Sequence, residues 1–122
     1  MTPMAKNGSA VLDRVAFDDF AGLFDAAELR AVIEQWHDDS ASALDAIAQA
    51  QARGDRAQIG QLAHRAAGGG MALGATALVR TCERLRHAAE SGAPVTDAEI
   101  APLREAVAAT YAALTDAAGD SQ

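Results

Sequence analysis

From Leu29 onward, apolar side chains return at steps of three and four: Leu29, Val32, Ile33, Trp36, Ala43, Leu44 and Ile47. Such steps keep to one face of an α-helix, so the spacing predicts a long helix here. Asp25 is placed to cap its start, with Glu28 three positions on as in a capping box. Gly54 ends it, and Asp55 can cap the next helix at once. That second stripe is Ile59, Leu62, Ala63, Ala66, Gly70 and Leu73, stopped by Gly74. A third runs through Leu78, Cys82, Leu85 and Ala89 and breaks at "SGAP" (91–94). Thr96 or Asp97 caps a fourth, with Ile100, Leu103, Val107, Tyr111 and Leu114 on its stripe and Gly119 at its frayed end. Pro102 requires that this helix begin near Asp97 to Ile100, because proline fits best in a first turn. Upstream, "FDDFAGLF" with Asp18 and Asp19 reads as a helical turn or two laid across the bundle end. Residues 1–10, small, polar and broken by Pro3 and Gly8, read as a flexible N-terminal tail.

Four apolar stripes joined by short connections predict an all-α fold. The expected architecture is an antiparallel up-and-down four-helix bundle with a short additional N-terminal helix, over residues 11–118. No period-two alternation competes, and no solenoid-type repeat is visible.

Composition narrows the functional classes. A chain of 122 residues suits one domain with one core. Half the residues are hydrophobic and only 4% aromatic, a mixture that favours closely packed helices over strands. The formal charge of −7 argues against nucleic acid and anionic membranes as partners. Cys82 is the only cysteine, so no intrachain disulfide is possible and a reducing cytoplasm is the expected setting. No apolar run reaches the roughly eighteen residues that a spanning helix needs. The first ten residues lack the apolar middle of a secretion signal.

Against this helical background, "LAHRAAGGGMALGA" (62–75) places three consecutive glycines just beyond His64. In a helix interior each glycine is worse than alanine by roughly 0.8–1 kcal/mol, so the run needs a compensating reason. With Ile59 as the zero of a helical wheel, the stripe residues fall within about 60°, His64 at about 140° and Gly68 at about 180°. His64 is therefore expected on the solvent side, on a face shared with Ala57, Gly60, Gln61, Ala67, Gly68 and Met71. Gly68, at i+4, lies directly beside it. Apart from Gln61 and Met71, those neighbours carry almost no side chain, so another protein's backbone can come close to the imidazole. Gly70 faces the stripe and would allow close helix–helix contact. The wheel provides no role for Gly69.

These residues resemble a known signature. His64, Gly68, Gly70, then Leu73-Gly74-Ala75, Leu78, Cys82 and Leu85 are similar to the pattern of histidine-containing phosphotransfer (HPt) domains. The resemblance covers residues 64–85 in motif and most of the chain in predicted architecture. It implies a four-helix bundle that relays a phosphoryl group between aspartates of response-regulator receiver domains, with His64 as the phospho-accepting residue and Gly68 as its adjacent glycine. It implies receiver domains and a hybrid histidine kinase as partners. Many members carry lysine three residues after the histidine, where this chain has Ala67. Other cations would then balance the phosphoryl charge. Arg65 diverges from His64 by about 100° and would have to reach. Arg86 is the better placed: folding the two helices back near Ala75 puts residues whose numbers sum to about 150 at one height.

The chemistry asks little of the rest of the chain. A free imidazole has a pKa of about 6.5, so near neutrality much of it is nucleophilic without a dedicated base. It can carry a phosphoryl group covalently, by attack of one ring nitrogen (Nε2 in the family) on an aspartyl phosphate. In-line positioning and charge stabilisation complete the step, with Mg²⁺ expected in the partner receiver domain and no cofactor of this chain's own. A stand-alone phosphorelay intermediate without kinase activity, monomeric, is the expected reading. The alternative is a non-transferring helical interaction module with the same bundle. A metal- or cofactor-binding bundle would need inward His and Glu residues, and the stripes are nearly all aliphatic.

Other candidates are weaker. The glycine run lacks the GxxxxGK context of a nucleotide loop. His37 with Asp38 and Asp39 has no spaced partner ligands and reads as an exposed helical patch. Cys82 falls on the apolar stripe and reads as a core thiol, despite His87 five residues on. The "ERLR" charges (83–86), Arg86 excepted, read as a solvated face.

Overall fold

The computed structural model describes residues 11–120, and the expected N-terminal tail lies outside them. Among the described residues there are five helices and no strand: α1 (Arg14–Ala21), α2 (Ala26–Ala52), α3 (Arg56–Ala72), α4 (Thr76–Glu90) and α5 (Asp97–Asp120). The four longer helices close a ring of contacts, α2 on α3, α3 on α4, α4 on α5 and α5 on α2, with α3 against α4 the most extensive.

Each boundary follows from local chemistry. Asp25 accepts from the Glu28 backbone N–H at 2.8 Å, and the Glu28 carboxylate accepts from the Asp25 N–H at 2.9 Å, closing the capping box at the start of α2. Asp55 caps α3 by accepting from the Gln58 N–H. Gly54 and Gly74 follow α2 and α3 with φ of +71° and +75°, the left-handed geometry that side-chain-bearing residues resist. Gly74 also has no room for a Cβ, which would stand 2.8 Å from the Asp13 carbonyl oxygen and 3.1 Å from the Phe17 nitrogen. The Asp13 N–H donates to the Gly74 carbonyl, and Phe17 is fully buried, so α1 is pinned onto the α3–α4 turn. Helix α5 begins at Asp97, which leaves Pro102 in its second turn.

The core draws on all four stripes. Ile33, Ile47, Ile59, Leu78, Cys82, Leu85, Ile100, Leu103 and Leu114 are essentially sealed from solvent. Burial pushes the Cys82 thiol up to about 12, with Glu83 adding to the rise, so the thiol stays protonated as a core group. No helix among the described residues is long and apolar enough to cross a membrane.

The buried face of α3 is wider than the wheel predicts and is turned towards α4. Gly60 and Ala67, expected on the solvent face with His64, are both buried. Ala67 is only 3% exposed, and a Cβ on Gly60 would stand 3.7 Å from the Ala89 Cβ. The physical reason is that α3 has two flanking neighbours. A wheel centred on one stripe captures the central direction and misses the small residues that let α4 close on the flank. Gly70 matches its expectation most directly: a Cβ there would lie 2.8 Å from Leu78 Cδ2, so the Leu78 side chain of α4 fills the space that a larger residue would take. Gly69 faces the other flank, where the nearest heavy atom to an added Cβ is Trp36 Cδ1 of α2 at 4.0 Å.

Candidate functional site

Helix α3 carries His64 in its third turn, with the imidazole standing out of the bundle at 71% side-chain exposure. One turn on, a Cβ at Gly68 would meet no atom within 4 Å, so this flank of the imidazole is bare backbone. Gln61 is exposed, and Met71 is one of the three large apolar side chains exposed among the described residues, at 65%. A groove along the α3–α4 seam is lined by Arg56, Ala57, Gly60, Gln61, His64, Arg86 and Glu90. Arg86 thus shares the groove with His64, as the height register suggests. Arg65 does not: it faces α2, in a separate groove with Trp36, Asp39 and Ser42. Ala67 contributes no surface to the site, being packed into the core.

Glu83 completes the arrangement, and sequence reasoning missed it. Its Oε2 lies 3.4 Å from His64 Nδ1. Its Oε1 accepts from Arg86 Nε at 2.8 Å, and Arg86 Nη2 is also 2.8 Å from that oxygen. Arg86 Nη1 donates to Glu90 at 3.2 Å. The Arg86 guanidinium, and next to it His64, hold the Glu83 carboxyl below the usual carboxylate range against a partial desolvation that works the other way. Glu83 in turn raises the Arg86 guanidinium further above its ordinary value, with Glu90 contributing less. The "ERLR" stretch is therefore not a uniformly solvated face: Glu83 is half-buried and linked to the histidine. The signal was present in the register. Summing to 150 sets Glu83 level with Ala67, one turn from His64, within reach of a glutamate side chain.

The remaining histidine candidates lie elsewhere. His37 is half-buried rather than part of an exposed patch, its ring stacked on Tyr111 of α5 with centroids 3.9 Å apart and planes 19° from parallel. The Tyr111 hydroxyl donates to Glu34, and that carboxylate, with Asp38 further off, holds the phenol above its ordinary value. His87 is exposed in the last turn of α4. Among the described residues, no three His, Cys, Asp or Glu side chains come together as a metal site.

The described residues form an all-helical module that presents a glycine-flanked histidine. The family comparison specifies the class: a model of the Hpt domain matches residues 31–117, well over half of the chain. The chain belongs to the Hpt domain family, whose members carry out histidine phosphotransfer in two-component systems and interact with response regulators and kinases. No curated protein matches the chain, and no solved structure matches it.

Proposed function

We propose that this protein is a phosphorelay intermediate in which His64 accepts a phosphoryl group from the aspartate of one receiver domain and delivers it to the aspartate of another. The observation that carries the reading is the outward-facing His64 imidazole, 71% exposed beside the open backbone at Gly68, within the region matched by the family. The ring contact to Glu83 is made through Nδ1, which leaves Nε2 as the nitrogen available to a partner. The Nε2 lone pair forms the N–P bond, and the P–O bond to the receiver's aspartate breaks with its electron pair returning to that carboxylate. Return transfer reverses these bonds on the second receiver. Mg²⁺ belongs to the receiver and supplies charge stabilisation there.

The scaffold in this reading is an antiparallel up-and-down bundle of α2 to α5, supported by the ring of helix contacts and by connections confined to residues 53–55, 73–75 and 91–96. Gln61, Gly68 and Met71 form the docking margin around the histidine. Arg86 supplies the nearest positive charge in the groove, where the family's lysine position is the buried Ala67. Arg65 serves a partner only from the α2 side. The protein works as a monomer in the cytoplasm and takes its phosphoryl group from a hybrid histidine kinase by way of a receiver.

The test is incubation with a phosphorylated receiver. Label should appear as acid-labile phosphohistidine, and His64→Gln should abolish it. Stable receiver binding with no transferred label would instead favour the non-transferring interaction module.

A further inference from the structure

We propose that the groove between α2 and α3 binds a free α-amino acid with an apolar side chain. This site is separate from the groove that holds His64 and does not depend on the transfer reading. It has a volume of about 500 Å³, within the range of roughly 300–1,000 Å³ that small-molecule sites occupy. Trp36, Leu62, Ala43, Ala46 and Ala66 give it an apolar floor, and Ser40, Ser42, Asp39 and Arg65 supply its polar lining. Gly69 keeps the indole clear, because any side chain there would start 4.0 Å from Trp36 Cδ1.

The polar groups define the ligand through what they lack. Ser40 is only 9% exposed, and its hydroxyl has no hydrogen-bond partner among the described residues. Unlike Thr110 Oγ1, which is sealed, Ser40 Oγ keeps an opening, and Ser40 lines the groove. Buried hydroxyls are paired as a rule, so this one is set for a partner from outside the chain. Arg65 makes no ion pair among the described residues. Asp39 accepts from the Gln35 amide at 2.9 Å, a neutral donor that leaves the carboxylate charge without a counter-charge. A cation and an anion thus line one groove without pairing with each other. That arrangement favours a ligand carrying both signs, its carboxylate on the Arg65 fork and its ammonium on Asp39. A simple anion would meet a chain of net charge −7, and a simple cation would leave Arg65 unanswered. The Ser40 hydroxyl can accept from the ammonium or donate to the carboxylate. An apolar side chain then fills the floor against Trp36 and Leu62.

Trp36 is the only tryptophan of the chain, so its emission reads occupancy of the groove directly. The full chain is titrated separately with L-leucine, L-isoleucine, L-methionine and L-phenylalanine, and at least one should change that emission saturably. The analogues of the binder that lack its carboxylate or its ammonium (isoamylamine and isocaproate for leucine) should bind roughly tenfold or more weakly. Arg65→Gln and Asp39→Asn, both at exposed positions, should each weaken binding by a similar factor. Ser40→Ala should weaken it by roughly twofold to tenfold. An emission indifferent to all four amino acids, or binding that survives both charge substitutions, overturns the inference. Analogues that bind as tightly as the amino acid overturn it too, because the groove would then be a cleft for any apolar body. None of these measurements reads phosphoryl uptake, so their failure and that of the transfer reading are told apart.

Discussion

Two seams of this molecule each hold a helix-borne histidine against a side chain of the facing helix, yet they offer opposite access. On the α2–α5 seam, His37 lies flat on Tyr111, and the tyrosine hydroxyl is tied to Glu34. On the α3–α4 seam, His64 touches a carboxylate only at the edge of its ring, and the nearest position along the helix is a glycine. A stacked ring gains contact area and loses approach. A ring held at one nitrogen keeps its other nitrogen open and oriented. What distinguishes a reactive histidine here is therefore which part of the ring its neighbours cover.

The sharpest way to break that contrast is to exchange each histidine in turn. His64→Gln should abolish phosphoryl uptake from a phosphorylated receiver, whereas His37→Gln should leave it at the native level. Label surviving the first change, or vanishing with the second, would reverse the assignment. Next in size is the open flank of His64. Gly68→Gln adds a long side chain where the structure has none, and should slow transfer by about tenfold or more through misplacement of the partner. The same change should make the fold more stable, because glutamine is a better helix former than glycine. Native transfer rates in that variant would remove clearance as the reason for the glycine.

A smaller effect separates the two flanks of α3 by stability alone. Gly70→Ala places a methyl 2.8 Å from Leu78 Cδ2, in a core where Leu78 is 1% exposed. Overpacking should outweigh the propensity gain and cost about 1–2 kcal/mol. Gly68→Ala meets nothing and should stabilise by up to about 1 kcal/mol. Urea unfolding of the two variants measures both, and equal signs would show that the seam can relax. The smallest expectation concerns Cys82. With its thiol fully buried and pushed up to about 12, it stays protonated as pH rises through the neutral and mildly alkaline range. Alkylation at pH 8 should then be negligible in the native protein and prompt once it is unfolded.

Much of this was legible before any coordinates, where the cause is local. The Asp25–Glu28 box, the left-handed glycines at 54 and 74 and the exposure of His64 depend on residues within a turn or so of one another. Gly70 was legible too, since it lies on the stripe. Gly60 and Ala67 were misplaced because a single-helix wheel has one centre, whereas α3 buries a second flank against α4. His37 was read as solvated because its partner, Tyr111, is far away in the chain and meets it only across the α2–α5 seam.

The sequence by itself determined the helices, their ends, the family signature and the histidine that signature singles out, because periodicity, capping and glycine conformations act over a few residues. Tertiary structure alone decided what surrounds that histidine. The carboxylate at Nδ1, the arginine that anchors it and the burial of Ala67 all depend on how far α4 rotates and how closely it approaches α3. Gly60 faces Ala89 and Gly70 faces Leu78 across that seam, contacts that no wheel drawn on one helix contains.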